Sequence, residues 1–297
     1  MAVSAKRVIV TSFLVDFLDL LSSIVITLIS GSVVMLAQAF EGGADLVSSG
    51  LLIFGLNRSL RHPDKNHPFG HGRELYFWTL ISALFTFSVS ASFSFYFGWK
   101  RFLNPAPIHN LFLANLVLLV TIATNGYALF LSIQRLIGKK HEALGHAFFT
   151  SPLIETRATF VLDLMGTLAS ILGLLALLIY AVTSDLRFDG LGAMAIGATL
   201  ALMAFFLILG VRDLLVGKSA SLEIEEKIKK AALSVRAVKS VTRLRTNHIG
   251  PDQMLIELSI SVRRDLITTQ IEKIIGEVKQ KIRNLVKEAQ FIQIELR

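Results

Sequence analysis

Six stretches of this chain, approximately residues 8–30, 33–57, 75–99, 111–137, 157–182 and 189–215, are predominantly apolar, and that feature restricts the fold most. A helix needs about 20 such residues to cross the hydrocarbon of a bilayer, where only structures that satisfy their own backbone hydrogen bonds survive. Membrane-spanning helices are therefore predicted throughout residues 1–216. Of the 297 residues, 53% are hydrophobic and only 18% are charged. That is too apolar for an ordinary soluble protein and too evenly spread for one anchor. The N-terminal "MAVSAKRVIVTSFLVDFLDLLSSIVITLISGS" starts basic but lacks a small-residue cleavage site after a short core, so it reads as a retained span.

The connections differ in length. Gly31-Ser32 is tight, "NRSLRHPDKNHPFGHGRE" is long and polar, "KRFLNPAPIHN" carries Pro105 and Pro107, "GKKHEALGHAFFTSP" is long and "VTSDLRFDG" is short. With a cytoplasmic N-terminus, the inner segments hold Lys6, Arg7, Arg58, Arg61, Lys65, Arg73, Arg135, Lys139, Lys140, Arg157, Arg212 and Lys218. The outer segments hold only Lys100, Arg101 and Arg187, so both termini are expected in the cytoplasm. A short N-terminus without a targeting segment fits a bacterial or archaeal inner membrane.

After Gly217 the pattern changes to a small α+β domain over residues 217–297. Ile224, Ile228, Ala231, Ala232 and Val235 repeat at helical spacing. "VTRLRT" and "QMLIELSISV" read as strands, the second alternating through Met254, Ile256, Leu258, Ile260 and Val262. "NHIGPDQ" between them supplies a hairpin connection with His248 in the loop. A second helix places Ile271, Ile274, Ile275, Val278 and Ile282 on one face, and "FIQIEL" closes as a strand. The order αββαβ predicts a ferredoxin-like layer of helices on one sheet, small enough that dimerisation is expected. This tail carries 16 Lys and Arg against 10 Asp and Glu, which leaves 14 against 12 for the rest of a chain of net charge +8. Its charges alternate in sign along helices, which fits an anionic membrane surface better than nucleic acid.

The chemistry lies in acidic residues where water should not reach. Asp16, Asp19, Glu41, Asp45 and Asp163 all fall inside predicted spans, at a cost of about 2.5–3.5 kcal/mol each on insertion scales. Glu41 and Asp45 are one helical turn apart and point the same way. No Lys or Arg stands deep in a predicted span to pair with them, so a divalent ion or a shared proton is the expected partner. In "FVLDLMGT" Asp163 repeats the theme with Thr159 one turn before it. If the second and fifth helices touch, Glu41, Asp45, Thr159 and Asp163 offer four oxygens around one metal ion, with Asp16 and Asn125 as outer candidates. Thr159 and Asn125 also read as hydrogen-bonding glue between helices. In the polar loop, Asp64, His67 and His71 form a second constellation, which reads either as a metal site or as a turn that caps a helix.

Other activities find little support. The chain has no cysteine, which removes disulfides, thiolate metal sites and cysteine nucleophiles. It has no G-x-S-x-G, and "HEALGH" has one residue too many for H-E-x-x-H, so no enzyme is expected. A membrane-anchored metal sensor or scaffold is the alternative to a transporter, although neither needs charges deep in its spans.

"GSVVMLAQAFEGGADLVSSGLLIFGLNRSLRHPDKNHPFGHGRE" resembles the second span and following loop of the cation diffusion facilitator family, whose members exchange divalent metal for protons. "FDGLGAMAIG" and "DLLVGKSASLE" resemble its last span and exit, so the likeness covers nearly the whole chain. The resemblance implies a homodimer working by alternating access, a transport site of Glu41, Asp45, Thr159 and Asp163, no further cofactor, and an auxiliary loop site of Asp64, His67 and His71. It matches Arg73 to a basic position that helps hold the dimer, while "LLVGKS" stands where the acidic partner is usual. Zinc-handling members place His or Asp where Glu41 and Thr159 stand. An all-oxygen set leans toward manganese or iron, although zinc also accepts carboxylates. Family tails often carry metal-binding histidines. Here His248 stands alone, with Glu272 and Glu295 near positions where His occurs, so no strong metal cluster is expected there.

Overall fold

The computed structural model describes the backbone of residues 5–137, 145, 154–263 and 266–297, with side chains from residue 16 onward and those of residues 154–156 left out. Lys6 and Arg7 and the connection bearing Lys139, Lys140 and "HEALGH" lie outside the described side chains. Among the described residues six helical rods precede the tail: α1 (Ala5–Ser30), α2 (Val33–Ser59), α3 (Glu74–Leu103), α4 (Leu111–Ile137), α5 (Ile154–Thr183) and α6 (Arg187–Val216). Among the described residues five of these, α2 to α6, are long and apolar enough to cross a membrane. The contacts divide the chain into two units: one runs up to Gly55 and resumes over Trp78–Val211, and the other joins Leu56–Phe77 to Arg212–Arg297. The predicted polar loop therefore groups with the tail.

Local chemistry explains how the rods end and pack. Gly31 adopts φ of 68° and donates its N–H to Thr27 O at 2.8 Å, a left-handed stop that fits the tight link to α2. Asp189 at the start of α6 caps α2, accepting from Ser32 Oγ at 2.7 Å and from the N–H groups of Val33 and Val34, each at 3.0 Å. Its side chain is fully buried, and Arg101 Nε lies 3.0 Å away. In the sequence Asp189 stands only as part of the last span and Arg101 only as an outer charge. A cap formed by a residue 157 positions away leaves no local signal. Rods α3 and α6 meet backbone to backbone: a Cβ on Gly98 would stand 2.6 Å from Met194 N, and one on Gly190 2.6 Å from Phe102 N. Close approach at small residues is how helices associate where lipid removes the hydrophobic drive. A π-helical turn, Thr86–Ala91, interrupts α3, which apolar periodicity could not have indicated.

In the tail, α7 (Leu222–Leu233), β1 (Val238–Gly250), β2 (Gln253–Val262), α8 (Thr268–Leu285) and β3 (Ala289–Leu296) follow in the predicted order. The sheet runs β1-β2-β3, antiparallel between β1 and β2 and parallel between β2 and β3. Ser221 caps α7 by accepting from Ile224 N at 3.4 Å. Met254, Ile256, Leu258 and Ile260 of β2 pack with Ile228 of α7 and with Ile274, Val278 and Ile282 of α8 in one core. One expectation fails here. β1 runs on to Gly250, so the hairpin turns through Pro251 and Asp252 alone, with Asp252 at φ of 50°. His248 therefore lies in the strand opposite Met254, 8% exposed, rather than in a solvated loop. Polar "TNHIG" does not look like a strand, and pairing with the apolar β2 overrides that local preference.

Candidate metal centres

Two small-residue contacts bring the carboxylates of the first unit together. Gly42 of α2 lies against the Leu20 backbone of α1, where a Cβ would stand 3.4 Å from Leu20 Cα. Gly166 of α5 lies beneath Glu41 Oε1 and Asn125 Nδ2, each 2.8 Å from the position its Cβ would take. Helices α1, α2 and α4 then line a small polar cavity formed by Asp16, Asp19, Ser23, Gln38, Glu41, Gly42, Asp45, Thr121 and Asn125. Glu41 is 4% exposed, and its Oε1 has no hydrogen-bond partner among the described residues. Gln38 is equally enclosed; Ser170 Oγ donates to its Oε1 at 2.9 Å while its Nε2 is unpaired. Asp45 is within electrostatic reach of Glu41, Asp16 and Asp163. Hydroxyl groups steady the α1 carboxylates: Ser49 of α2 donates to Asp16 at 3.3 Å, and Thr124 of α4 to Asp19 at 3.1 Å.

The α5 half is arranged differently. Asp163 does not line that cavity. It accepts a hydrogen bond from Ser132 of α4 and lies within reach of the Arg135 charge. Thr159 is half-buried one turn earlier on α5. Cations also come closer to the spans than the sequence indicated, since Arg157 is 7% exposed on α5 and Arg101 is paired with Asp189. Long basic side chains lay their stems along apolar helices, so their position in the sequence understates their reach. The predicted set is thus split, with Glu41, Asp45, Asp16 and Asn125 around one cavity and Asp163 beside Ser132.

In the second unit, Asp64, His67 and His71 each offer a ligand atom within 4.8 Å of the others, the one such set of three found among the described residues. Asp64 Oδ1 accepts from the N–H groups of Asn66 at 2.8 Å and His67 at 2.7 Å, an Asx turn that folds the loop back. His71 Nε2 then reaches Asp64 Oδ2 at 3.0 Å. The His71 hydrogen bond and the His67 N–H hold the Asp64 carboxyl at about 2, so it is ionised and ready to ligate. Arg73 Nη2 donates to Asn247 Oδ1 at 3.4 Å, which ties this loop to β1. Near the predicted tail positions, Glu272 is exposed. Glu295 accepts from Ser259 at 2.8 Å, which with Arg297 lowers its pKa. Burial and the Lys218 charge lower that of His248.

Comparison with known proteins places these features in context. Residues 9–216 match the cation efflux transmembrane domain, and residues 220–297 match the cation efflux protein cytoplasmic domain. The mitochondrial proton-coupled zinc antiporter SLC30A9 of Xenopus laevis is 25% identical over 284 residues, covering 92% of this chain and 51% of that protein. The chain thus spans about half the length of that relative. Magnetosome protein MamB of Magnetospirillum gryphiswaldense is 24% identical over 293 residues, covering 97% of this chain and 92% of the relative. Among solved structures, a cadmium form of the MamM CTD is 20% identical, covers 26% of this chain and 94% of its own, and has a TM-score of 0.25.

Proposed function

From the premise that the chain belongs to the cation efflux family, also called the cation diffusion facilitators, we propose that it exports a divalent transition-metal cation across a membrane in exchange for protons. The family as a whole supports divalent cation efflux. The ion, the protons and the residues are this proposal's own. The observation that carries it is Glu41, 4% exposed, with an unsatisfied carboxylate oxygen in a cavity shared with three further acidic residues. A buried carboxylate oxygen without a partner is costly, and a divalent ion or a proton is what relieves it.

In the proposed cycle the cavity opens to the cytoplasm, and Glu41, Asp45 and Asp163 give up protons as they take the metal, because ligating carboxylates must be deprotonated. A change in helix packing then exposes the site on the other side, where protons displace the ion. Thr159 and Asn125 supply neutral oxygens. Asp64, His67 and His71 form a second, cytoplasmic metal site. The tail, residues 217–297, holds two copies together, with both termini in the cytoplasm of a bacterial or archaeal inner membrane. The name of the frog relative favours zinc, whereas the oxygen-rich ligand set favours manganese or iron. Initial-rate flux in proteoliposomes, run as a competition among zinc, manganese, iron, cobalt and cadmium, tests the reading. Flux of at least one of these ions above that of empty liposomes is expected. Its absence for all of them leaves the alternative, a membrane-anchored metal sensor or scaffold.

A further inference from the structure

We infer that Asp189, Arg101 and the Gly31-Ser32 link form a clasp that closes the outer end of the helix bundle, and that this clasp opens when the ion leaves on that side. The inference concerns a part of the bundle away from the acidic cavity, and it rests on the transport reading above, which sets the direction of export.

The clasp joins elements that have to part for an ion to pass. Asp189 of α6 is fully buried, and its partners come from other elements: Ser32 Oγ from the link, the N–H groups of Val33 and Val34 from α2, and Arg101 Nε from α3. Arg101 in turn donates from Nη2 to Gly31 O, so α3 also grips the link that follows α1. Beside it, Ser30 O accepts from His109 N–H at 2.9 Å, and the Tyr180 hydroxyl of α5 accepts from Ile108 N–H at 3.2 Å. Directional bonds thus tie α1, α2, α3, α5, α6 and the connection into α4 at one end, the end that the proposed topology puts outside.

Val34 links the clasp to the packing beneath it. A Cβ on Gly192 of α6 would stand 2.7 Å from Val34 Cγ2, and one on Gly173 of α5 would stand 2.9 Å from Val34 Cγ1. Val34 is fully buried where α2, α5 and α6 meet, and Asp189 holds its N–H at 3.0 Å. An ion leaving outward between these helices displaces Val34, and that requires Asp189 to release the α2 backbone. Helix α2 is equipped for the release. Ser32 Oγ also accepts from Met35 N–H at 3.4 Å, a local cap that stays with the helix when Asp189 withdraws. Charge-assisted bonds hold the closed arrangement, and outer water takes over the carboxylate and the guanidinium once they separate. Two discrete arrangements are what a gate needs.

The chain has no cysteine, so a single Val34→Cys in the full chain reports on the clasp. Spheroplasts of a bacterial host are treated with a membrane-impermeant methanethiosulfonate reagent, which reaches only the outer face. In this background Asp189→Asn puts a donor where Val33 N–H and Arg101 need an acceptor, and Arg101→Gln removes the bridge to Gly31 O. Each is expected to speed labelling at position 34 about tenfold or more, the effect of losing a charged hydrogen bond from the closed state. A second protein carries Ser32→Cys with Asp189→Cys, positions whose native side chains meet at 2.7 Å. In proteoliposomes its oxidation is expected to stop flux of whichever competing ion the parental protein carries fastest. Binding of that ion in detergent is expected to persist, and reduction to restore flux, a comparison in which the substitutions cancel. A parental labelling rate in either variant, a bridge that does not form, binding lost together with flux, or undiminished flux through the bridged protein overturns the clasp, while parental flux upholds the transport reading. A parental protein that carries none of the ions removes the transport reading and the gate with it.

Discussion

At the scale of single residues, what matters is which polar groups the fold buries and what it gives them. Asp189 shows the solved case: it is buried without exposure but has a hydroxyl, two backbone N–H groups and Arg101. Removing one partner of such a buried pair typically costs about 3–5 kcal/mol. Glu41 shows the unsolved case, one buried carboxylate oxygen unpaired among the described residues, and an ion-binding site is expected where an oxygen is left in that condition. His248 is a third case, with a pH consequence. Burial and Lys218 hold its pKa below the ordinary 6.5, so the native tail prefers the neutral ring. The unfolded chain binds a proton near 6.5 while the folded chain does not, so the stabilisation is complete above that value. It is lost as pH falls below it, by at most about 1.4 kcal/mol per pH unit. Denaturant unfolding of the tail should therefore show falling stability from about pH 7 to about pH 5.5, and His248→Gln should flatten that slope. Equal slopes in both proteins would mean the ring is not withheld from solvent.

At the scale of elements, the glycine contacts make the sharpest prediction. A Cβ on Gly98 would meet Met194 N at 2.6 Å, backbone that cannot move aside, whereas one on Gly126 would meet nothing within 4 Å. Gly98→Leu should lower the melting temperature in detergent, at a cost of about 1–3 kcal/mol or more, while Gly126→Ala should be nearly neutral. Similar melting of both variants would show that α3 and α6 do not depend on close approach. Elements of this length and apolarity were readable from sequence, and so were α7, α8 and the alternating β2, because each has a strong period and no competing signal. The interruption of α3 at Thr86–Ala91 was not, since a π turn changes hydrogen bonding without changing composition. The far end of β1 was missed because "TNHIG" gains its strand from β2 across the hairpin. At the site, spacing was enough to single out Glu41 with Asp45 and Asp64 with His67 and His71. Helix partners were not legible. Asp19 and Gln38 enter the cavity through contacts at Gly42 and Ser170, and Asp163 turns to Ser132, none of which a single sequence records.

At the scale of the whole molecule, the proposed function assigns selection of the ion and pairing of two copies to different parts of the chain. The proposed ligands sit among the helices, whereas the tail has its own core of Ile228, Met254, Ile256, Val278 and Ile282 and leaves Leu222, Leu233 and Leu285 exposed. Deleting residues 217–297 should weaken dimerisation in light scattering and slow transport while leaving the ratio of zinc to manganese rates unchanged. A changed ratio would move selectivity into the tail. The central claim, metal exchanged for protons at buried carboxylates, is tested most directly by flux into proteoliposomes under an imposed pH gradient with the membrane potential clamped. The account predicts that the rate rises with the gradient and vanishes in Asp45→Ala and Asp163→Ala proteins that remain folded. Flux indifferent to the gradient, or undiminished in either variant, would contradict it.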